Sequence, residues 1–430
     1  MGEKIKERDY MFDTFRGILM LSIPVSHFTK ASANWYQALY EPGFAHESFC
    51  GFMYITINVF VMQAFMFLSG YFSKKPERAH DTAFRGVLWP YLVFTTITMI
   101  AGYGFDTGIG HWFSYLTPPF ALWFLFALFL YRFFLRDIIK FQWALPMSIV
   151  MMFAVGALPF NDYLALGRLF SYFPFFLIGY YCSKETLDKV RRLSKHPVWV
   201  VLLAAALVGV SIWLVFNGPR LSWFLLKDSA EALGVPLIQD FLCRGLVFIL
   251  ACGWIVLMVN ILPSTYNFLC YIGTNTMPIY IFHLGLRHII KIKGLYLGVI
   301  ASLIVAWFSI ISLLHKKHGK WSVSITLTVL SIAASIWLWN CGILEPLVGQ
   351  CPKSLFVFYP LVYGSALLTG VSLAAPIWVK LYDILTEGPL RVPFMVDWLE
   401  NFGKEKKDPE NDEGNPENYG ETLGKGDSEK

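Results

Sequence analysis

Residues 12–29 read FDTFRGILMLSIPVSHFT, an apolar run about one bilayer long that nevertheless carries Asp13, Arg16 and His27. Similar runs recur near 52–72, 86–103, 120–135, 143–160 and 168–182. More follow near 198–216, 241–262, 268–286, 294–314, 321–340 and 354–379. Several are short, notably 120–135 and 168–182, so the pattern predicts an all-α, polytopic transmembrane bundle of about 10–12 spans. Composition agrees. Of 430 residues, 56% are hydrophobic and 15% charged, against about 45–50% apolar (Gly included) and about 25% charged in a soluble protein. Too little polar surface remains to face water around a soluble domain of this size. Large soluble enzymes, nucleic-acid-binding modules and secreted disulfide scaffolds are thereby excluded.

Lys and Arg in the short connections set the orientation. Lys4, Lys6 and Arg8 precede the first run and place the amino terminus in the cytoplasm. The second connection carries Lys74, Lys75, Arg78 and Arg85; the fourth, Arg136 and Lys140. The sixth carries Lys184, Lys189, Arg191, Arg192 and Lys195, and the tenth Lys316, Lys317 and Lys320. Arg287, His288, Lys291 and Lys293 run against the alternation, through either a re-entrant segment or an outward cavity. No cleavable signal peptide is expected, because the first run contains Arg16 and no small-residue cleavage site follows it. Residues 1–402 form the membrane domain, and 403–430 a disordered, acidic cytoplasmic tail. That tail holds nine acids and five bases, so the rest of the chain is about four charges more basic than the overall +5. The seven Cys show no metal-ligand spacing, and no metal is expected; Cys341 and Cys351 flank a loop that permits a disulfide if it faces outward.

The first run holds the chemistry. Arg16 and His27 are eleven residues apart, about three helical turns, which places them on one face about 16 Å apart along the axis. Asp13 lies three residues before Arg16, within side-chain reach. Pro24 removes a backbone hydrogen bond and is expected to kink the helix before His27. Ionisable groups inside a membrane are costly and commonly mark a site. The plainer alternative is that Arg16 snorkels to the headgroups while His27 sits at the opposite interface, and spacing alone leaves both open. His283 is a second candidate, packed or chemical. Trp123 and Phe124 are expected to line the bundle, Arg168 and Arg244 to reach the headgroups, and Asn58 and Gln63 to bond across helices.

D-x-x-R-G at 13–17, overlapped by R-x10-H at 16–27, resembles the first span of the acyltransferase-3 family of integral-membrane acyltransferases. FMFLSGYF at 65–72, LWPYLVF at 88–94, ALWFLFALFLYR at 121–132, FPFFLIGYY at 173–181 and IGTNTMPIYIFH at 272–283 match in kind and order. The resemblance implies a plasma-membrane enzyme moving an acetyl group from cytoplasmic acetyl-CoA to a hydroxyl of an envelope carbohydrate. It makes Arg16 and His27 the essential pair. His27 would act as general base or transient acyl carrier, Arg16 would steady the donor, and Asp13 would orient Arg16. Such proteins often carry Arg-x-x-Arg at the cytoplasmic end of the third span. Here Arg85 is present but Thr82 stands three residues earlier, so Arg78, Lys74 and Lys75 in the preceding loop are expected to complete the contacts to CoA. The partners implied are acetyl-CoA, a glycan and the lipid bilayer, with no nucleic acid. The alternative is a transporter or flippase for a lipid-linked glycan.

Overall fold

The computed structural model describes residues 9–31, 48–105, 115–118, 121–159, 163–218, 221–283 and 375–387. Among these residues every regular element is helical and there is no strand. The long helices are α1 (Met11–Ala31), α2 (Ser48–Tyr71), α3 (Pro76–Ala83), α4 (Trp89–Phe105), α5 (Trp123–Ile138), α6 (Ala144–Ala154) and α7 (Leu166–Tyr181). They are followed by α8 (Lys184–Arg191), α9 (Pro197–Asn217), α10 (Ala230–Leu233), α11 (Leu237–Ile261) and α12 (Phe268–Thr274). A further helix, α13, covers 276–283 beyond a break at Asn275, and α14 is Ala375–Glu387. By length and composition, Gly51–Tyr71, Pro76–Ile100, Pro197–Asn217 and Leu237–Ile261 can each cross a membrane.

The third span starts ten residues before its apolar run. Pro76 occupies a first helical position, where its missing N–H costs nothing. The polar helix α3 then runs through a π-helical turn, Phe84–Leu88, into α4 without a break. Polarity hid this extension, because PERAHDTA lies on the exposed end of the rod with only Ala79, His80 and Ala83 buried. Arg78 therefore lies on a helix and not, as expected, in the preceding loop.

Two reciprocal glycine contacts bring helix backbones together. A Cβ at Gly17 of α1 would strike the Leu269 carbonyl of α12, and one at Gly273 of α12 would strike the Asp13 carbonyl of α1. Likewise Gly70 of α2 meets the Phe176 carbonyl of α7, and Gly179 of α7 meets the Phe67 carbonyl of α2. Small residues let membrane helices approach this closely, where van der Waals packing drives association. The first pair fixes the segment that carries Asp13 and Arg16. Thr14 strengthens it by accepting a hydrogen bond from Asn267 Nδ2 at 2.9 Å, while Asn267 Oδ1 caps α12 by accepting from the Leu269 N–H at 2.9 Å.

Lys4, Lys6 and Arg8, the segment Arg287–Lys293, the runs near 294–314 and 321–340, most of 354–379, the Cys341–Cys351 loop and the tail from 403 lie outside the described residues.

Candidate active site

The cytoplasmic-side half of α1, as the basic connections orient it, holds the first charged pair. Asp13 falls in the helix's first turn, where the peptide dipoles favour an acid. Its buried carboxylate lies 3.5 Å from Arg16 Nη1, and the Arg16 guanidinium sits 4.3 Å over the Phe72 ring. A cation on the face of an aromatic ring gains electrostatic stabilisation that water would otherwise supply. Arg16 then faces a cavity of about 230 Å³ enclosed by α1, α2, α5 and α13. Arg16, Arg132, Ser69 and Ser73 give it a polar end, while Met20, Met62, Phe124 and Tyr280 give it apolar and aromatic walls.

α1 continues unbroken through Pro24 to Ala31. Met20 lines the cavity four residues after Arg16, and Ile23, seven after it, is buried. Residue 27 follows on the same stripe about 16 Å along the axis; the His27 side chain lies outside the described ones. Asn58 ties this distal part of α1 to α2, donating to Ser26 Oγ at 3.1 Å and to its own helix at Tyr54 O. Gln63, expected to bond across helices as well, donates within α2 to the Asn58 carbonyl.

His283 is fully buried on α13 and stands one turn beyond Tyr280 of the cavity wall. Its Nδ1 bonds the Tyr280 carbonyl. A carbonyl only accepts, so Nδ1 carries a proton, and in the neutral tautomer the lone pair stands on Nε2. Tyr280 in turn donates its hydroxyl to the Ala121 carbonyl, fixing α13 to the start of α5. Phe124 lines the cavity, whereas Trp123 packs on Tyr172 at 5.1 Å and lies under the Arg168 guanidinium. Arg244 does not reach outward as expected. It is 1% exposed and bonds Asp240 Oδ2 at 2.6 Å, Ser171 Oγ at 2.7 Å and the Asp228 carbonyl at 2.9 Å. Partners on three segments make the interior, not the headgroup layer, its electrostatic minimum.

The four basic residues expected to meet CoA do not converge. Lys74 donates to the carbonyls of Gly179, Tyr180 and Cys182, closing the carboxyl end of α7 where a cation suits the helix dipole. Burial lowers the pKa of its ammonium from the usual lysine value. Lys75 and Arg78 are exposed beside it. Arg85, on the π-helical turn, pairs with Glu387 of α14 at 3.7 Å, and both are about half exposed. The cation that does share the cavity with Arg16 is Arg132, to which the sequence reading gave no role. It stood in view as the last residue of ALWFLFALFLYR, yet nothing in that stretch indicates which neighbour it faces. Among the described residues no cluster of His, Cys, Asp or Glu could hold a metal ion.

A family profile described as an acyltransferase domain matches residues 9–340, a span that contains every helix around the cavity. The chain belongs to the acyltransferase-3 family. No curated protein and no solved structure matches it. The cavity between α1, α2, α5 and α13 is thus a candidate site of a membrane acyltransferase, with α14 lying beyond the matched region.

Proposed function

We propose that this acyltransferase moves an acetyl group from cytoplasmic acetyl-CoA to a hydroxyl of an envelope carbohydrate, working in the plasma membrane. The observation that carries the reading is the single unbroken helix α1, which places Arg16 in the cavity and residue 27 further along the same stripe. An alcohol is a weak nucleophile near neutral pH, and an imidazole with a reference pKa of about 6.5 suits its activation. His27 takes the acceptor hydroxyl's proton while the oxygen attacks the thioester carbonyl. The carbon–sulfur bond then breaks, and the thiolate of CoA receives the proton from His27. Alternatively the imidazole first takes the acetyl group and passes it to the hydroxyl. Arg16, held by Asp13, steadies the donor. His283, with its lone pair on Nε2, is the second candidate base. Lys75, Arg78 and Arg85, though not gathered at one point, each draw the CoA phosphates toward the membrane surface, and Lys74 caps α7. No step calls for a metal.

The test is alkali-labile acetate on envelope glycans of cells making wild-type protein, His27→Ala or neither, with membrane expression checked. Acetate that appears with wild type and is lost by a factor of about 100 or more in His27→Ala is the expected result, the scale of a general base. Equal acetate in all three, together with no thermal stabilisation of the purified protein by CoA, would remove the enzyme reading in favour of glycan transport.

A further inference from the structure

Among the described residues that line the cavity there are two guanidiniums and no carboxylate. Arg16 shares the Asp13 carboxylate, but Arg132 on α5 meets no carboxylate among the described residues. Its Nη2 donates to Thr82 Oγ1 at 2.9 Å, and its Nε is buried without a hydrogen-bond partner. Thr82 donates its own hydroxyl proton to the Arg78 carbonyl at 2.7 Å, so toward Arg132 it acts only as an acceptor. The hydroxyl thereby fixes the guanidinium's attitude without neutralising it. A guanidinium has five N–H donors in a planar fork, and a neutral hydroxyl satisfies one of them. Half-buried, with its Nε orphaned, an ion so placed gains from a counter-ion, and the fork suits the paired oxygens of a phosphate. Asp13 is already engaged by Arg16, and the remaining walls are apolar, aromatic or hydroxylic.

We propose that Arg132 and Arg16 together form an anion site that takes a phosphate ester, with Thr82 as the positioning residue for Arg132. Within the acyl-transfer reading, on which this assignment rests, the ester belongs to the CoA donor. Its pantetheine arm then lies along the apolar wall of Leu68 and Leu128 toward Tyr280. A phospholipid headgroup offers the same chemistry, and the experiment separates the two sources.

The full chain, in phosphatidylcholine nanodiscs, is titrated with CoA, inorganic pyrophosphate and pantetheine while its thermal midpoint is followed. A parallel sample in phosphatidylglycerol nanodiscs receives no addition. CoA and pyrophosphate are expected to raise the midpoint and pantetheine to leave it unmoved. Arg132→Gln is expected to weaken CoA about tenfold or more. Arg132→Lys, which keeps the charge but not the fork, and Thr82→Val, which keeps the fork but frees it, each weaken it less. If Arg132→Gln does not fold, the other two variants carry the comparison. CoA binding unchanged in all folded variants overturns the Arg132 site and leaves the donor reading standing. Pyrophosphate binding that depends on Arg132, without CoA binding, supports the anion site and removes the donor reading. Stabilisation by phosphatidylglycerol alone supports a phosphate site and overturns its assignment to CoA. No response to any phosphate overturns the proposal.

Discussion

Asp13 pairs with Arg16, buried and 3.5 Å away, and its effect on an anionic donor is double-edged. It holds the guanidinium in place, yet its charge opposes any phosphate in the same cavity. Two unit charges 4 Å apart interact by about 4 kcal/mol at an effective dielectric of 20, and a ligand somewhat farther off feels a fraction of that. Asp13→Asn should therefore tighten CoA about tenfold while turnover falls by a similar factor, because Arg16 loses its orienting partner. Binding and turnover measured on one preparation check this; unchanged values for both would mean that Asp13 does not govern Arg16. The Arg16–His27 stripe was legible because one helix's periodicity fixes it. Arg132 was not, because its relation to Arg16 arises where α5 meets α1, and spacing within a single segment says nothing of the opposite wall.

At the scale of elements, the runs expected near 198–216 and 168–182 correspond closely to α9 and α7. Unbroken apolarity marks such helices plainly. The polar start of the third span had no such marker. Nor did the two glycine pairs, since a glycine in an apolar run reads the same whether it faces lipid or a carbonyl. Gly17→Ala and Gly86→Ala separate these cases. A Cβ at residue 17 meets the Leu269 backbone, which cannot step aside as a flexible side chain can, whereas one at residue 86 meets nothing within 4 Å. Gly17→Ala should lose about 1–3 kcal/mol or more and release the α1–α12 contact under Asp13. Gly86→Ala should be within about 1 kcal/mol of wild type, helped by the better helix propensity of alanine. Thermal unfolding of the two purified variants decides it, and equal midpoints would contradict the close-approach account.

At the scale of the whole molecule, connections far apart in the sequence meet one another. Arg191, the last residue of α8, binds Asp9 at 2.9 Å and Ser264 Oγ at 2.5 Å, while the Tyr10 N–H donates to the Ser264 carbonyl at 3.1 Å. The amino-terminal segment, the sixth connection and the one before α12 thus share one end of the bundle. At the other end the third and fifth connections touch, the Leu164 N–H donating to the Leu116 carbonyl at 2.7 Å. The amino-terminal segment and the sixth connection are basic, whereas the connection before α12 carries no Lys or Arg and joins them through contacts alone. Single cysteines at Ser194 and Ser264 should then react with an impermeant maleimide only after the membrane is opened. Cysteines at the exposed Thr117 and Tyr163 should react on intact cells. The labels are read in a background without the native cysteines, to keep Cys182 silent. The reverse pattern would invert the molecule and put the Arg16–Arg132 end of the cavity on the outside, where no CoA is found. Labelling of all four from one side would break the bundle's alternation itself.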